Sequence, residues 1–464
     1  MNFMKRKLYQ LITMHGFAPT KKIAVSFFAV ILIGALLLML PIANQNGASV
    51  HFIDALFTAT SAVCVTGLVV YFPAEQLTVF GQVVLMCLIQ IGGLGLMTLV
   101  ATIHLGFKNR LSVQNKVAMK EALGQNRVIN YKAYLFRIVK YTITFELVGA
   151  LLLALVFVPE QGFARGMFWS LFTAISAFCN AGFDLVGTTN LAPYVSQPIV
   201  NIVVMTLIIS GGLGFIVYFD VRDKIHLLTK QHIPFKQFVK RLNLQTKIVF
   251  VMTTVLVLVP AIFIFIDEFN NPGTLGALDM PGKIFAALFN SVTLRTAGFS
   301  TIDYAKIYEP TAFMMIITMF IGGSPGGTAG GIKTTTFAVI ALFVINSLKG
   351  RRETSVFHRT ISLDMVATAM SVFTLNILFL FTGIMILSSA TDFSLLAIMF
   401  EAVSAMATVG LSLGITASLP VLGKLIIIAL MYIGRIGIIT FLSSIVKEDK
   451  QKDIRYAEGR VMIG

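Results

Sequence analysis

Four short stretches of this sequence share one pattern: CVTGL at 64–68, CNAGF at 179–183, RTAGF at 295–299 and ATVGL at 407–411. Their glycines, Gly67, Gly182, Gly298 and Gly410, follow one another at intervals of 115, 116 and 112 residues. Neighbouring positions keep step, with Cys64 and Cys179 three residues before the glycine and Ser61, Ser176 and Ser404 six before it. Glycine permits φ > 0, which turns successive main-chain carbonyls toward one axis. The residue before the glycine varies (Thr66, Ala181, Ala297, Val409), so a ligand common to all four stretches must be the backbone oxygen. Four such turns brought together would ring a narrow hole with carbonyls that replace a cation's water shell. The candidate ion-binding residues are Val65, Thr66, Gly67 and Leu68; Asn180, Ala181, Gly182 and Phe183; Thr296, Ala297, Gly298 and Phe299; and Thr408, Val409, Gly410 and Leu411. Any one of these glycines could merely end a helix. Four in register indicate a repeat.

The segments that position these turns are apolar. Each turn follows a short piece too brief to cross a bilayer: HFIDALFTATSAV, GMFWSLFTAISAF, GKIFAALFNSVTL and FSLLAIMFEAVSAM. Around them lie long apolar runs near 23–43, 77–105, 134–158, 197–219, 246–266, 311–347, 365–389 and 421–446. Runs of about 18 or more residues span a membrane as helices. Across 464 residues the chain is 56% hydrophobic and 12% charged, where soluble domains carry about 25% charge. Its mean hydropathy is +0.86. These features predict an all-α polytopic membrane protein of eight spans. The basic start MNFMKRKLYQ precedes an apolar run longer than a signal core, so that run is taken as the first membrane helix.

The net charge of +15 resolves into topology. Segments 44–76, 159–197, 267–310 and 390–424 hold eleven Asp and Glu against five Lys and Arg. Basic stretches lie between the other helix pairs, at Lys108–Lys140, Arg222–Lys247 and Lys349–Arg359, and at both termini. Basic loops stay in the cytoplasm, so both termini are predicted to be cytoplasmic. Each unit then reads helix, half-crossing helix, glycine turn, helix, with both ends on one side. The units are 1–110, 111–225, 226–350 and 351–464. They are parallel, which disfavours inverted-repeat carriers, and they suggest a pseudo-fourfold arrangement about a central pore.

Three cysteines and six histidines show no metal or disulfide spacing. No nucleotide fingerprint is present, since GGLGLM follows no strand. Nucleic acid is not an expected partner, and a membrane enzyme would need convergent acid, base or metal groups that the spans do not supply.

In these motifs the chain resembles the Trk/Ktr/HKT superfamily of potassium transporters over nearly its whole length, and is most similar to the Ktr-type membrane subunit, lacking the extra N-terminal helix pair of the Trk branch. The resemblance implies that Gly67, Gly182, Gly298 and Gly410 are filter glycines. Glycine at all four positions implies potassium preference, with another monovalent cation, sodium or ammonium, as the alternative. No unit has a second glycine two residues on (Val69, Asp184, Ser300, Ser412), so fewer ion sites are expected than in four-subunit potassium channels. The resemblance further implies a homodimer in a bacterial plasma membrane, contacting lipid and a cytosolic ring of nucleotide-binding regulatory subunits. Nucleotide would then act only through that partner.

Arg435 and Glu146 are unusual charges deep inside apolar runs. Ionisable residues within spans usually face a cavity. Arg435 either snorkels to the headgroups or sets a positive charge beneath the filter, where the family has a matching arginine; Glu146 is expected to find a polar partner in the bundle. The run 311–347 is interrupted by GGSPGGTAGGIKTTT, with Gly322, Gly323, Gly326, Gly327, Gly330 and Gly331 before Lys333, which no stable helix would hold. The family carries an intramembrane loop there, so 322–336 with Lys333 and Arg435 is the candidate gate. GGLG at 92–95 and 211–214 is expected to serve close helix packing instead.

Overall fold

The computed structural model describes residues 19–45, 47–95, 131–230 and 234–445. The two basic termini, most of the Lys108–Lys140 loop and the 110/111 unit boundary lie outside the described residues.

The same succession of elements occurs four times. A long helix comes first: α1 (Pro19–Met39), α4 (Tyr131–Gln161), α9 (Leu244–Asp267) and α13 (Leu363–Ala390). Among the described residues these four are long and apolar enough to cross a membrane singly. Their outer faces are apolar and exposed: Leu147, Leu151 and Leu155 form one stripe of α4, while Leu153 and Phe157 on the other face are buried. Exposed leucines at four-residue spacing suit a lipid-facing surface, because only the inner stripe packs on protein.

A short helix follows each long one: α2 (Phe52–Cys64), α5 (Phe163–Cys179), α10 (Met280–Thr293) and α14 (Leu395–Met406). Asp279 and Ser394 cap two of them, accepting from Gly282 N at 3.1 Å and Ala397 N at 3.3 Å. After each glycine turn comes a second helix: α3 (Val79–Leu94), α6 (Pro198–Leu213), α11 (Glu309–Phe320) and α15 (Val421–Ile436). Proline starts α6 and stands second in α11, where its missing N–H costs nothing.

Among the described residues three of the four second helices are broken. α6 runs into α7 (Phe215–Thr229) with a 91° bend, and α15 runs into α16 (Ile438–Ile445) with a 100° bend. Gly214 and Gly437, both at φ 88°, occupy the corners. The apolar runs 197–219 and 421–446 predicted straight helices, but left-handed backbone ends the i to i−4 ladder at each glycine. The third unit breaks as expected between α11 and α12 (Thr334–Leu348). Its loop is shorter than the predicted 322–336, since α12 already begins at Thr334. The chain is also not wholly helical. After the short α8 (Phe235–Arg241), an antiparallel hairpin of β1 (Thr354–Val356) and β2 (Arg359–Ile361) precedes α13, turning through Phe357 and His358 at positive φ.

Packing closes a ring. Each short helix packs on the long helix of its own unit, and each second helix packs on the short helix of the next: α3 on α5, α6 on α10, α11 on α14 and α15 on α2. In the first, second and fourth units the second helix also packs on its own short helix, and there small residues bring the backbones together. A methyl group at Gly92, Gly211 or Gly434 would overlap the carbonyl of Val63, Phe178 or Met406, each four residues before a motif glycine. The close-packing expectation for GGLG therefore holds for its first glycines, while its last glycine, Gly95 or Gly214, ends the helix. Gly434→Ala is expected to destabilise the fold by about 1–3 kcal/mol through overpacking. Alanine is the better helix former, so a lower thermal midpoint in detergent isolates the clash. Gly423→Ala, which meets only side-chain and ring atoms at 3.2 Å or more, should leave the midpoint nearly unchanged.

Candidate functional site

Just past each short helix the chain enters left-handed space two residues before the motif glycine. Val65, Asn180, Thr296 and Thr408 have φ of 57°, 60°, 66° and 53°, and the glycines two residues on have 98°, 71°, 81° and 91°. Three of these four leading residues are β-branched, for which positive φ is a true outlier. Such strain, of order 1–3 kcal/mol per residue, persists only where the surroundings impose it, and it clusters at functional sites. The turn also uses up its own donors. Thr66 N donates to Ser61 O at 2.8 Å, Ala181 N to Ser176 O at 2.7 Å and Val409 N to Ser404 O at 2.7 Å. Gly67 N and Gly410 N donate to the hydroxyls of Ser61 and Ser404, each at 3.0 Å. Ser176, in the equivalent place, has no hydroxyl partner among the described residues.

The carbonyls are left over. Those of residues 65–67, 180–182, 296–298 and 408–410 accept no hydrogen bond from the described residues. All four turns meet. A Cβ built on Gly67 would lie 2.6 Å from Ala181 O, on Gly182 2.8 Å from Ala297 O, and on Gly298 2.7 Å from Val409 O; on Gly410 it would overlap Thr66 O. Each glycine thus faces the carbonyl before the next unit's glycine, and the circuit closes. Val65, Leu68, Phe183, Phe299 and Leu411 are buried around it. Buried carbonyls need partners, and a desolvated cation is one that such a ring can hold.

On one side the ring opens into a cavity of about 240 Å³ lined by all four glycines. Asp184, Ser300 and Ser412, each two residues past a glycine, line it as well. Asp184 accepts from Val186 N at 2.8 Å and Gly187 N at 3.3 Å. The buried Glu401 receives hydroxyls from Ser412 at 2.7 Å and Thr416 at 2.6 Å. Sequence reasoning singled out neither Glu401 nor this bracing.

On the other side lies the loop between α11 and α12. Its ends pair at Ile321 and Ile332, and Gly322 N donates to Ile332 O at 2.9 Å. Ser324 N and Thr328 N donate to Gly212 O and Gly211 O at 3.0 and 3.1 Å, Phe215 N donates to Gly326 O at 3.0 Å, and Thr328 Oγ1 donates to Phe178 O at 3.0 Å. Gly330 lies against Thr408, and Gly331 against Ala407, directly behind the ring. Gly323 and Gly327 lie against Ala329 and Gly211. Lys333 Nζ donates to Ala329 O at 2.8 Å. Arg435 does not snorkel: its guanidinium donates to Thr328 O and Gly92 O, joining the loop to the end of α3. Glu146 finds its polar partners in the bundle: Gln90 donates to it at 3.3 Å, and the Cys179 thiol at 3.9 Å.

The TrkH model, described as a cation transport protein, matches residues 2–454. The chain is 42% identical over 448 residues to the Ktr system potassium uptake protein B of Bacillus subtilis, covering 97% of each. It is 37% identical over 470 residues to the potassium/sodium uptake protein NtpJ of Enterococcus hirae, covering 100% of each. The crystal structure of the potassium transporter TrkH from Vibrio parahaemolyticus shares the fold, with a TM-score of 0.68 at 17% identity, over 91% of this chain and 84% of that one.

Proposed function

The chain belongs to the TrkH family of cation transport proteins, and on that premise we propose that it is the ion-conducting membrane subunit of a Ktr-type potassium uptake system. The observation that carries this reading is the closed circuit of glycines and undonated carbonyls, a backbone filter of the kind that strips water from a monovalent cation. Four parallel units with eight spans would surround it in pseudo-fourfold fashion, both termini on the cytoplasmic side of a bacterial plasma membrane. The names of the relatives favour potassium, and the potassium/sodium name of one keeps sodium as the alternative ion.

Ions would enter from the cavity that holds Asp184, lose water among the sixteen residues of the four turns, and meet the loop below. The short helices direct their C-terminal dipoles toward the ring, which favours a cation there. Arg435 lies on the loop side and opposes a cation that has passed the filter. A homodimer on a cytosolic ring of nucleotide-binding subunits would bias the loop, nucleotide acting only through that partner. The test is rubidium uptake in cells stripped of their own potassium uptake systems, with and without this chain. Uptake that potassium competes for supports the reading; none from chain that reaches the membrane rejects it. Arg435→Ala should raise uptake of both sodium and rubidium several-fold, read in the same assay.

A further inference from the structure

Arg295, the first residue of RTAGF, is 1% exposed, and its Nε, Nη1 and Nη2 have no hydrogen-bond partner among the described residues. A buried guanidinium with all its donors unmet is among the most unfavourable arrangements in a fold. Equivalent places in the other units hold Cys64, Cys179 and Ala407, so nothing in the repeat requires a charge there. The register shows what it faces. Cys179 packs against Gly93, the second glycine of the first unit's GGLG. Arg295 likewise approaches Gly212, the second glycine of the next GGLG, where an added Cβ would lie 4.0 Å from Nη2. That Cβ would also lie 3.9 Å from the Ala329 methyl of the loop.

In the fourth unit the place of Gly93 and Gly212 is taken by Arg435, one residue after Gly434. Two arginines therefore leave the backbone in one layer behind the ring: Arg435 where α15 packs on α2, its guanidinium reaching Gly92 O and Thr328 O, and Arg295 where α6 packs on α10. The glycine circuit runs through the units in chain order, so these two contacts lie on opposite sides of it. Between them run Thr328, whose carbonyl Arg435 holds, and Ala329, which shares the Gly212 corner with Arg295.

We propose that Arg295 joins Arg435 as a second barrier charge of the conduction path, and that it sets the flux of every monovalent cation leaving the filter. This rests on the conduction reading above. A like charge beside the path raises the energy of any passing cation regardless of its size, so it scales flux without sorting ions. Sorting stays with the carbonyl ring.

The experiment compares rubidium and sodium flux into vesicles reconstituted with the parent protein, Arg295→Gln, Arg295→Lys, Arg435→Ala and the Arg295→Gln/Arg435→Ala pair, at matched protein and matched melting temperature. Arg295→Gln should raise both fluxes by about three- to tenfold and leave their ratio at the parent value. Arg295→Lys should stay near the parent, and the pair should multiply the single effects. A changed rubidium-to-sodium ratio with no rise in flux would assign Arg295 to shaping the ring and overturn the proposal. So would parent-like or lower flux in Arg295→Gln while Arg435→Ala still raises it. Absence of flux from the parent itself rejects the conduction reading, and this proposal with it. If Arg295→Gln does not fold, Arg295→Met at the same site supplies the neutral arm.

Discussion

Gly410→Ser is expected to lose potassium-over-sodium preference by tenfold or more, the largest effect among the four motif glycines. Gly410 has φ 91°, and any Cβ there would overlap Thr66 O while lying 2.8 Å from Gly67 Cα. Neither neighbour is the far end of a flexible side chain, so relief must come from moving a carbonyl of the ring. A carbonyl displaced by a few tenths of an ångström changes both the size and the field offered to an ion, and a tenfold change in preference needs only about 1.4 kcal/mol. Gly67, Gly182 and Gly298 meet their neighbours at 2.6 Å or beyond, so their serine variants should lose less. Gly414→Ser separates crowding from backbone strain, because Gly414 has φ 95° but nothing within 4 Å. Rubidium uptake titrated with sodium reads the result: a Gly410→Ser variant that keeps the parent preference rejects the carbonyl ring as the discriminator.

The ring was legible in sequence because it depends on backbone, and backbone demands leave glycines at a fixed interval. Apolar run length was likewise legible, because hydropathy reads directly on the helices long and apolar enough to cross a membrane. What stayed hidden depends on tertiary context. Val65, Thr296 and Thr408 hold left-handed φ against their own preference for extended backbone, and no local propensity could announce that. The 91° and 100° bends follow from single glycines within continuous apolar runs, where hydropathy does not distinguish a corner from a straight helix. Arg295 was quoted within its motif yet carried no local signal. Only its burial and the register of Gly93, Gly212 and Arg435 give it a place.

Deleting Ser324–Gly330 from the intramembrane loop should raise rubidium flux by tenfold or more. In the intact chain the loop is fastened to the rest of the protein by Ser324 N and Thr328 N on Gly212 O and Gly211 O, by Phe215 N on Gly326 O, by Thr328 Oγ1 on Phe178 O, and by Arg435 on Thr328 O. At about 1 kcal/mol net for each hydrogen bond, these ties hold the loop in place by roughly 5 kcal/mol. That is near the ~5.5 kcal/mol that carries a two-state element from mostly closed to mostly open. A regulatory partner could therefore open the loop, provided it binds the withdrawn form better by that amount. The loop's feet already touch, since Ile321 bridges Ile332 and Gly322 N donates to Ile332 O. Two glycines can rejoin the cut ends without stretching α11 or α12. Thr328→Val, which removes only the Phe178 tie, should raise flux by a smaller factor, and neither variant should shift the rubidium-to-sodium ratio, because the carbonyl ring keeps its ligands. Deletion variants that reach the membrane, melt like the parent and conduct no faster would show that the barrier lies elsewhere, leaving the two guanidiniums as the obstacle below the filter.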